Sequence, residues 1–182
     1  MVDGAALIHR DRSDLGEYPE SMTRIQAPES GMGEHIDWAL LRPKMAVGMG
    51  QLSAAVYGNT ELPVREREAA RYTIALINDC LVCRDTRAKD GSSVGADEPF
   101  YAQATDWRAA SEFTERERAA AEFAERFALD HLAMDDAFWD RMHGLFSEAE
   151  LADLTICCGM FLGMGRALAV VGVRAPDERI LV

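Results

Sequence analysis

The chain is predicted to be all-α. Apolar residues recur at three- and four-residue steps along most of its 182 residues, and no stretch alternates apolar and polar residues for the length of a useful strand. Two capping boxes, Thr114-Glu115-Arg116-Glu117 and Ser147-Glu148-Ala149-Glu150, mark helix starts independently of periodicity.

Residues 1–33 mix charges with Pro19, Pro28, Gly16, Gly31 and Gly33 and have no apolar period, so they read as an irregular arm, mobile or laid over a neighbouring subunit. Residues 34–182 then form a single helical domain. Ile36, Leu40, Leu41, Met45, Met49, Leu52, Val56 and Tyr57 make a helical stripe, broken or restarted at Pro43 and ended by Gly58-Asn59. A second helix starts near Pro63 and runs to Asn78-Asp79. Lys89 to Asp97 is loop, followed by a short aromatic helix with Phe100, Tyr101 and Trp107. The Thr114 box opens a helix to about Asp130 that buries Ala120, Phe123, Ala124 and Phe127. Asp135 to Phe146 is the next, packing Phe138, Trp139, Met142 and Leu145. The Ser147 box opens the last, apolar on nearly every side to Val173, which predicts a helix buried at the domain centre or between subunits. Gly159, Gly163 and Gly165 fit close approach of another helix there.

A formal charge of −12 argues against nucleic acid and against an anionic membrane surface as partners. The first residues lack the basic and apolar regions of a secretory signal, and Arg166 and several glycines interrupt the run from Ile156 to Val173, so no membrane span is expected. A cytoplasmic location follows, where cysteines stay reduced unless they do chemistry.

The chemistry is concentrated at Cys80-Leu81-Val82-Cys83, directly after the break at Asn78-Asp79. Residues three apart on a helix share a face, and a rise of about 1.5 Å per residue puts their Cα atoms roughly 5 Å apart, within disulfide range. With Asp79 as N-cap, both thiols lie in a first helical turn, where free backbone N–H groups favour thiolate. Arg84 and Arg87, each four residues beyond a cysteine, are placed to lean over the sulfurs. Two other readings exist: buried core cysteines, and a zinc site. Zinc wants four ligands, and Cys157 and Cys158, adjacent on one helix, point about 100° apart; they read as core packing.

Glu68 lies eleven intervening residues before Cys80. On a straight helix it would stand about 18 Å away, so contact with the thiols requires the chain to reverse at Asn78-Asp79 as an αα-hairpin. Glu68, the Cys80-x-x-Cys83 pair, and the segments Thr114 to Glu125 and Phe146 to Thr155 together resemble the carboxymuconolactone decarboxylase superfamily, nearest its AhpD-like alkylhydroperoxidase branch. The resemblance covers residues 34–173 and implies an AhpD-like helical bundle with the CxxC at a helix start, assembled as a trimer or hexamer. It implies that Cys83 attacks a small hydroperoxide, that Cys80 resolves the sulfenic acid as a disulfide, and that an external dithiol donor resets the pair, with no cofactor and no metal. It also implies that Glu68 belongs to a proton relay.

The relay's histidine position holds Arg87, and the residue before the second cysteine, often histidine in the family, is Val82. Arginine can hold a thiolate by charge but cannot pass a proton. The expectation is therefore an ion pair of Glu68 with Arg87 acting as a fixed clamp, with Arg84, Arg71 and Tyr72 as candidate substrate-binding residues. Of the histidines, His9 lies in the arm, His35 starts a helix, and His131 and His143 alone invite inspection beside the thiols. Two alternatives stand: a lactone decarboxylase, whose anionic substrate would gather Arg71, Arg84 and Arg87, and a catalytically silent helical oligomer that binds a ligand.

Overall fold

The computed structural model describes residues 23–174 and 179–182, so most of the N-terminal arm lies outside the described residues. Among the described residues eight α-helices follow one another: α1 (Glu34–Leu40), α2 (Pro43–Gly58), α3 (Val64–Ile77), α4 (Leu81–Asp85), α5 (Glu98–Ala104), α6 (Glu115–Leu129), α7 (Asp136–Leu145) and α8 (Glu148–Val171). Short 3-10 turns occupy Gly91–Val94 and His131–Ala133. Among the described residues the one β-type pairing is a parallel bridge between Arg87 and Leu181.

Helix α3 is the hub, touching α4, α5, α6 and α8, and every residue from Glu66 to Leu76 is buried. Small side chains make this possible. Ala69 and Ala70 of α3 and Ala120, Ala121 and Ala124 of α6 are fully buried, which lets the two backbones approach closely. On one side of this pair, Ile74, Phe123, Phe138, Met142, Leu154, Cys158 and Phe161 build the main core between α3, α6, α7 and α8. On the other, Tyr72, Phe100, Tyr101, Trp107 and Phe113 fill a second, aromatic core.

Both capping boxes form. Thr114 accepts from the Glu117 N–H while Glu117 accepts from the Thr114 N–H, and Ser147 and Glu150 do the same. Pro43 sits in the first turn of α2, so the stripe breaks between α1 and α2 as the proline demands.

Two apolar faces stay open on the single chain. The α1–α2 stripe is largely bare: Val56 is buried, but Leu40, Leu41, Met45 and Leu52 are exposed. Helix α8 is not buried all round either, since Ile156 and Val170 are more than half exposed. Of its glycines, Gly159 and Gly163 face open space and Gly165 alone has a close neighbour. By length and composition α8 is long and apolar enough to cross a membrane; here Leu151, Leu154, Cys157, Cys158 and Phe161 pack it into the main core. Residues 23–33 have no helix or strand, and the Arg24 N–H ties them to the Val171 carbonyl at 2.8 Å.

Candidate functional site

The end of α3 creates the site. Asn78 caps the helix, Asp79 takes a left-handed conformation (φ 49°), and the chain reverses. The Cys80 N–H donates to the Ala75 carbonyl (3.2 Å) and the Asp79 N–H to that of Leu76 (3.1 Å), a Schellman closure that satisfies carbonyls otherwise left open. The N-cap of α4 is therefore Cys80 and not Asp79, because Asp79 is spent on the turn. The Cys80 sulfur accepts the Cys83 N–H at 3.2 Å.

Cys80 and Cys83 are disulfide-bonded, with Cα atoms 5.3 Å apart. Their surroundings differ. Cys80 is 1% exposed, packed with Val82, Val171 and Val173. Cys83 is partly exposed and lines a cavity of about 270 Å³ whose walls come from α1, α2, α3, α4 and α8. Most of that lining is apolar, including Ile36, Met49, Phe161, Met164 and Leu168. A glycine makes room for the sulfur: a Cβ at position 165 would lie 3.2 Å from Cys83 Sγ and 2.8 Å from Asn78 Nδ2. Asn78 fastens the turn to α8, donating from Nδ2 to the Leu162 carbonyl (3.1 Å) and accepting from Arg166 Nε (3.1 Å).

Glu68 is completely buried, and its partner is Arg71 rather than Arg87. Arg71 Nε donates to Glu68 Oε2 at 2.8 Å, and the Tyr101 hydroxyl donates to the same oxygen at 2.7 Å. Arg67 stands 3.7 Å from Oε1, which accepts no hydrogen bond. Arg71 continues across the reversal, donating to the Cys83 carbonyl (2.6 Å) and the Thr86 carbonyl (2.9 Å). Burial is the largest single influence and opposes its charge, but Glu68, Tyr57 and Tyr101 together outweigh it and hold its pKa above the ordinary arginine value. Burial, aided by Glu68, likewise pushes the Tyr101 phenol up to about 12.

The expected Glu68–Arg87 clamp is absent for a local reason. Helix α4 ends at Asp85 and Thr86 is extended, so Arg87 leaves the helical register and enters the bridge with Leu181. Its guanidinium pairs with Glu98 (2.8 Å) and lies 4.1 Å over the Tyr101 ring. Arg84 pairs with Asp79 at 3.2 Å. Neither arginine lines the cavity at Cys83; with Tyr72, Leu81 and Asp85 they line a separate polar hollow of about 180 Å³. The residues singled out from sequence thus divide: Cys83 and Arg71 share the cavity, Glu68 and Cys80 are sealed behind it, and Arg84, Arg87 and Tyr72 face elsewhere.

The histidines also correct the expectation. His143 Nδ1 pairs with Glu148 at 3.1 Å beside Trp139, and His131 sits in a 3-10 turn. His35, which sequence reasoning set aside, lines the Cys83 cavity. No periodicity could have found it, because α1 reaches the site through tertiary packing. Arg71 did carry a signal, three residues after Glu68. Cys157 and Cys158 are free and buried in the main core, with burial pushing the Cys157 thiol up to about 11.

Known proteins share the fold. Residues 43–126 match the profile of the carboxymuconolactone decarboxylase family. A protein of unknown function from Agrobacterium tumefaciens, described as an antioxidant defence protein AhpD, superposes with a TM-score of 0.70 at 21% identity, over 79% of this chain and 99% of its own. The core of an alkylhydroperoxidase AhpD from Ralstonia eutropha JMP134, a peroxidase-related protein, gives 0.67 at 20% identity over 87% and 94%. A peroxidase-related protein of Silicibacter sp. TM1040 gives 0.69 at 15% identity over 79% and 76%. None of the curated proteins searched matches the sequence. The fold is AhpD-like and all-α.

Proposed function

We propose that this member of the carboxymuconolactone decarboxylase family, matched over residues 43–126 and AhpD-like in fold, is a thiol-dependent peroxidase that reduces small organic hydroperoxides. The observation that carries the reading is the asymmetry of the disulfide: one sulfur opens on an apolar cavity and the other is sealed.

In the dithiol state the Cys83 thiolate attacks the distal oxygen of ROOH. The S–O bond forms as the O–O bond breaks, and the alkoxide leaves as ROH with one proton. Cys83 becomes a sulfenic acid, Cys80 displaces water from it, and the disulfide forms; an external dithiol donor then returns both thiols. Arg71 supplies fixed positive charge beside Cys83, and Glu68 with Tyr101 holds Arg71 in place. Arg87, with Arg84 and Tyr72, belongs to the neighbouring polar hollow, a reading in which it supports the Tyr101 ring rather than a proton path.

The bare apolar stripe on α1 and α2 supports assembly as a homo-oligomer, with Met45, Val47 and Leu52 at the contact, and the reducing cytoplasm is the proposed location. A decarboxylase reading would need convergent cations for an anionic lactone, and of its three candidate arginines only Arg71 lines the cavity.

Stopped-flow mixing of the reduced protein with cumene hydroperoxide tests the reading. A burst of one peroxide consumed per subunit, lost in Cys83→Ser, is expected; full turnover in Cys83→Ser would overturn it.

A further inference from the structure

A peroxidase cycle moves a proton as well as two electrons. The Cys83 thiol must lose one, and the departing alkoxide must gain one. The cavity lining contains four ionisable side chains, those of His35, Tyr57, Arg71 and Cys83 itself. Tyr57 is held protonated, its phenol pushed up to about 12 by burial. Arg71 stays charged beside Glu68. Glu68 is behind Arg71, with one oxygen occupied by Arg71 and Tyr101, and an arginine does not relay protons.

We infer that His35 is the acid–base group of this site, accepting the Cys83 proton and returning it to the alkoxide. The inference rests on the proposed peroxidase reading, and it fills the gap that Val82 and Arg87 leave in the local sequence. The step balances: the proton passes from Cys83 Sγ to the imidazole as the thiolate forms. The thiolate then takes the distal hydroxyl of ROOH, and the imidazolium protonates RO⁻.

The ring is built into the wall. Nδ1 is buried, accepts or donates no hydrogen bond, and rests against Gly33, where a Cβ would come within 3.0 Å. Gly33 has φ +93°, a conformation that favours glycine in any case. Burial lowers the imidazole pKa from its ordinary value and leaves it neutral, hence able to accept, at neutral pH. The groups that face it are few. Asp37 on its own helix pulls the pKa the other way and is itself bonded to the Ser30 N–H. Helix α2 presents Tyr57, α3 Arg71 and α4 Cys83, while the lining residues of α8 carry no charge.

The test is the pH profile of Cys83 reactivity in the full chain. In the reduced parent protein, alkylation of Cys83 by iodoacetamide, read by mass spectrometry from about pH 4 to 9, should show an inflection below the ordinary histidine value besides the thiol's own. His35→Gln should lose that inflection and react with cumene hydroperoxide roughly 100-fold more slowly, with its melting transition kept. A parent profile with the thiol inflection alone overturns the inference without need of any variant, and so does a folded His35→Gln with the parent's profile and rate. If instead Cys83→Ser keeps peroxide turnover, the peroxidase reading itself has failed.

Discussion

Arg71 and Glu68, one turn apart on α3 and both buried, form the ion pair on which the CxxC helix rests: Arg71 holds Glu68 with one edge and the Cys83 and Thr86 carbonyls with the other. A buried pair of this kind has its large effect when one partner is removed, because the other charge is left without compensation. Glu68→Gln and Arg71→Met should each lower stability by about 3–5 kcal/mol. Arg87→Ala, which breaks a pair whose carboxylate, Glu98, is half-exposed to solvent, should cost about 1 kcal/mol. Chemical denaturation of the three variants checks the order, and equal losses would return the clamp to Arg87.

Tyr101 shares the Glu68 oxygen with Arg71. Tyr101→Phe keeps the aromatic packing against Tyr72 and Phe100 and removes only the hydroxyl. A loss of about 1.5–3 kcal/mol is expected, the range for a hydrogen bond to a charged group, measured by thermal or urea unfolding.

Gly165→Ala should disturb the site more than Gly163→Ala. Only the first puts a methyl against Asn78 and Cys83, and the second faces open space. The expected cost at position 165 is about 1–3 kcal/mol, with slower disulfide closure after oxidation; at position 163 the helix should be slightly stabilised. Unfolding curves and a thiol assay separate the two.

How much of this was legible in the chain depends on the distance over which each feature is decided. The caps at Thr114 and Ser147, the break at Pro43 and the reversal at Asn78-Asp79 are set by neighbours in sequence, and each is present. The Arg87 clamp failed because it assumed that α4 continues past Asp85, whereas Thr86 turns the chain into the Leu181 bridge. His35 and Gly165 act at the cavity through packing between helices far apart in sequence, which no spacing rule reports. The α1–α2 stripe was a correct helix signal but a poor burial signal, since period alone does not say what covers a face.

Alkaline stability follows from the second cysteine pair. Burial raises the Cys157 thiol to about 11 and that of Cys158 well above its ordinary value, so the unfolded chain releases these protons first as pH rises. The folded state is at full strength below the unfolded thiol value of about 9 and loses up to ~1.4 kcal/mol per pH unit per thiol above it. Cys157→Ala/Cys158→Ala should flatten the fall between about pH 9 and 10, as followed by urea midpoints across that range.

The most direct measurement is trapping of the oxidised sulfur. Cys80→Ser, reduced and given one equivalent of cumene hydroperoxide with dimedone present, should carry the adduct on Cys83, located by peptide mass spectrometry. An adduct on Cys157 or Cys158 with Cys83 unmodified, or no adduct while peroxide is still consumed, would contradict the account.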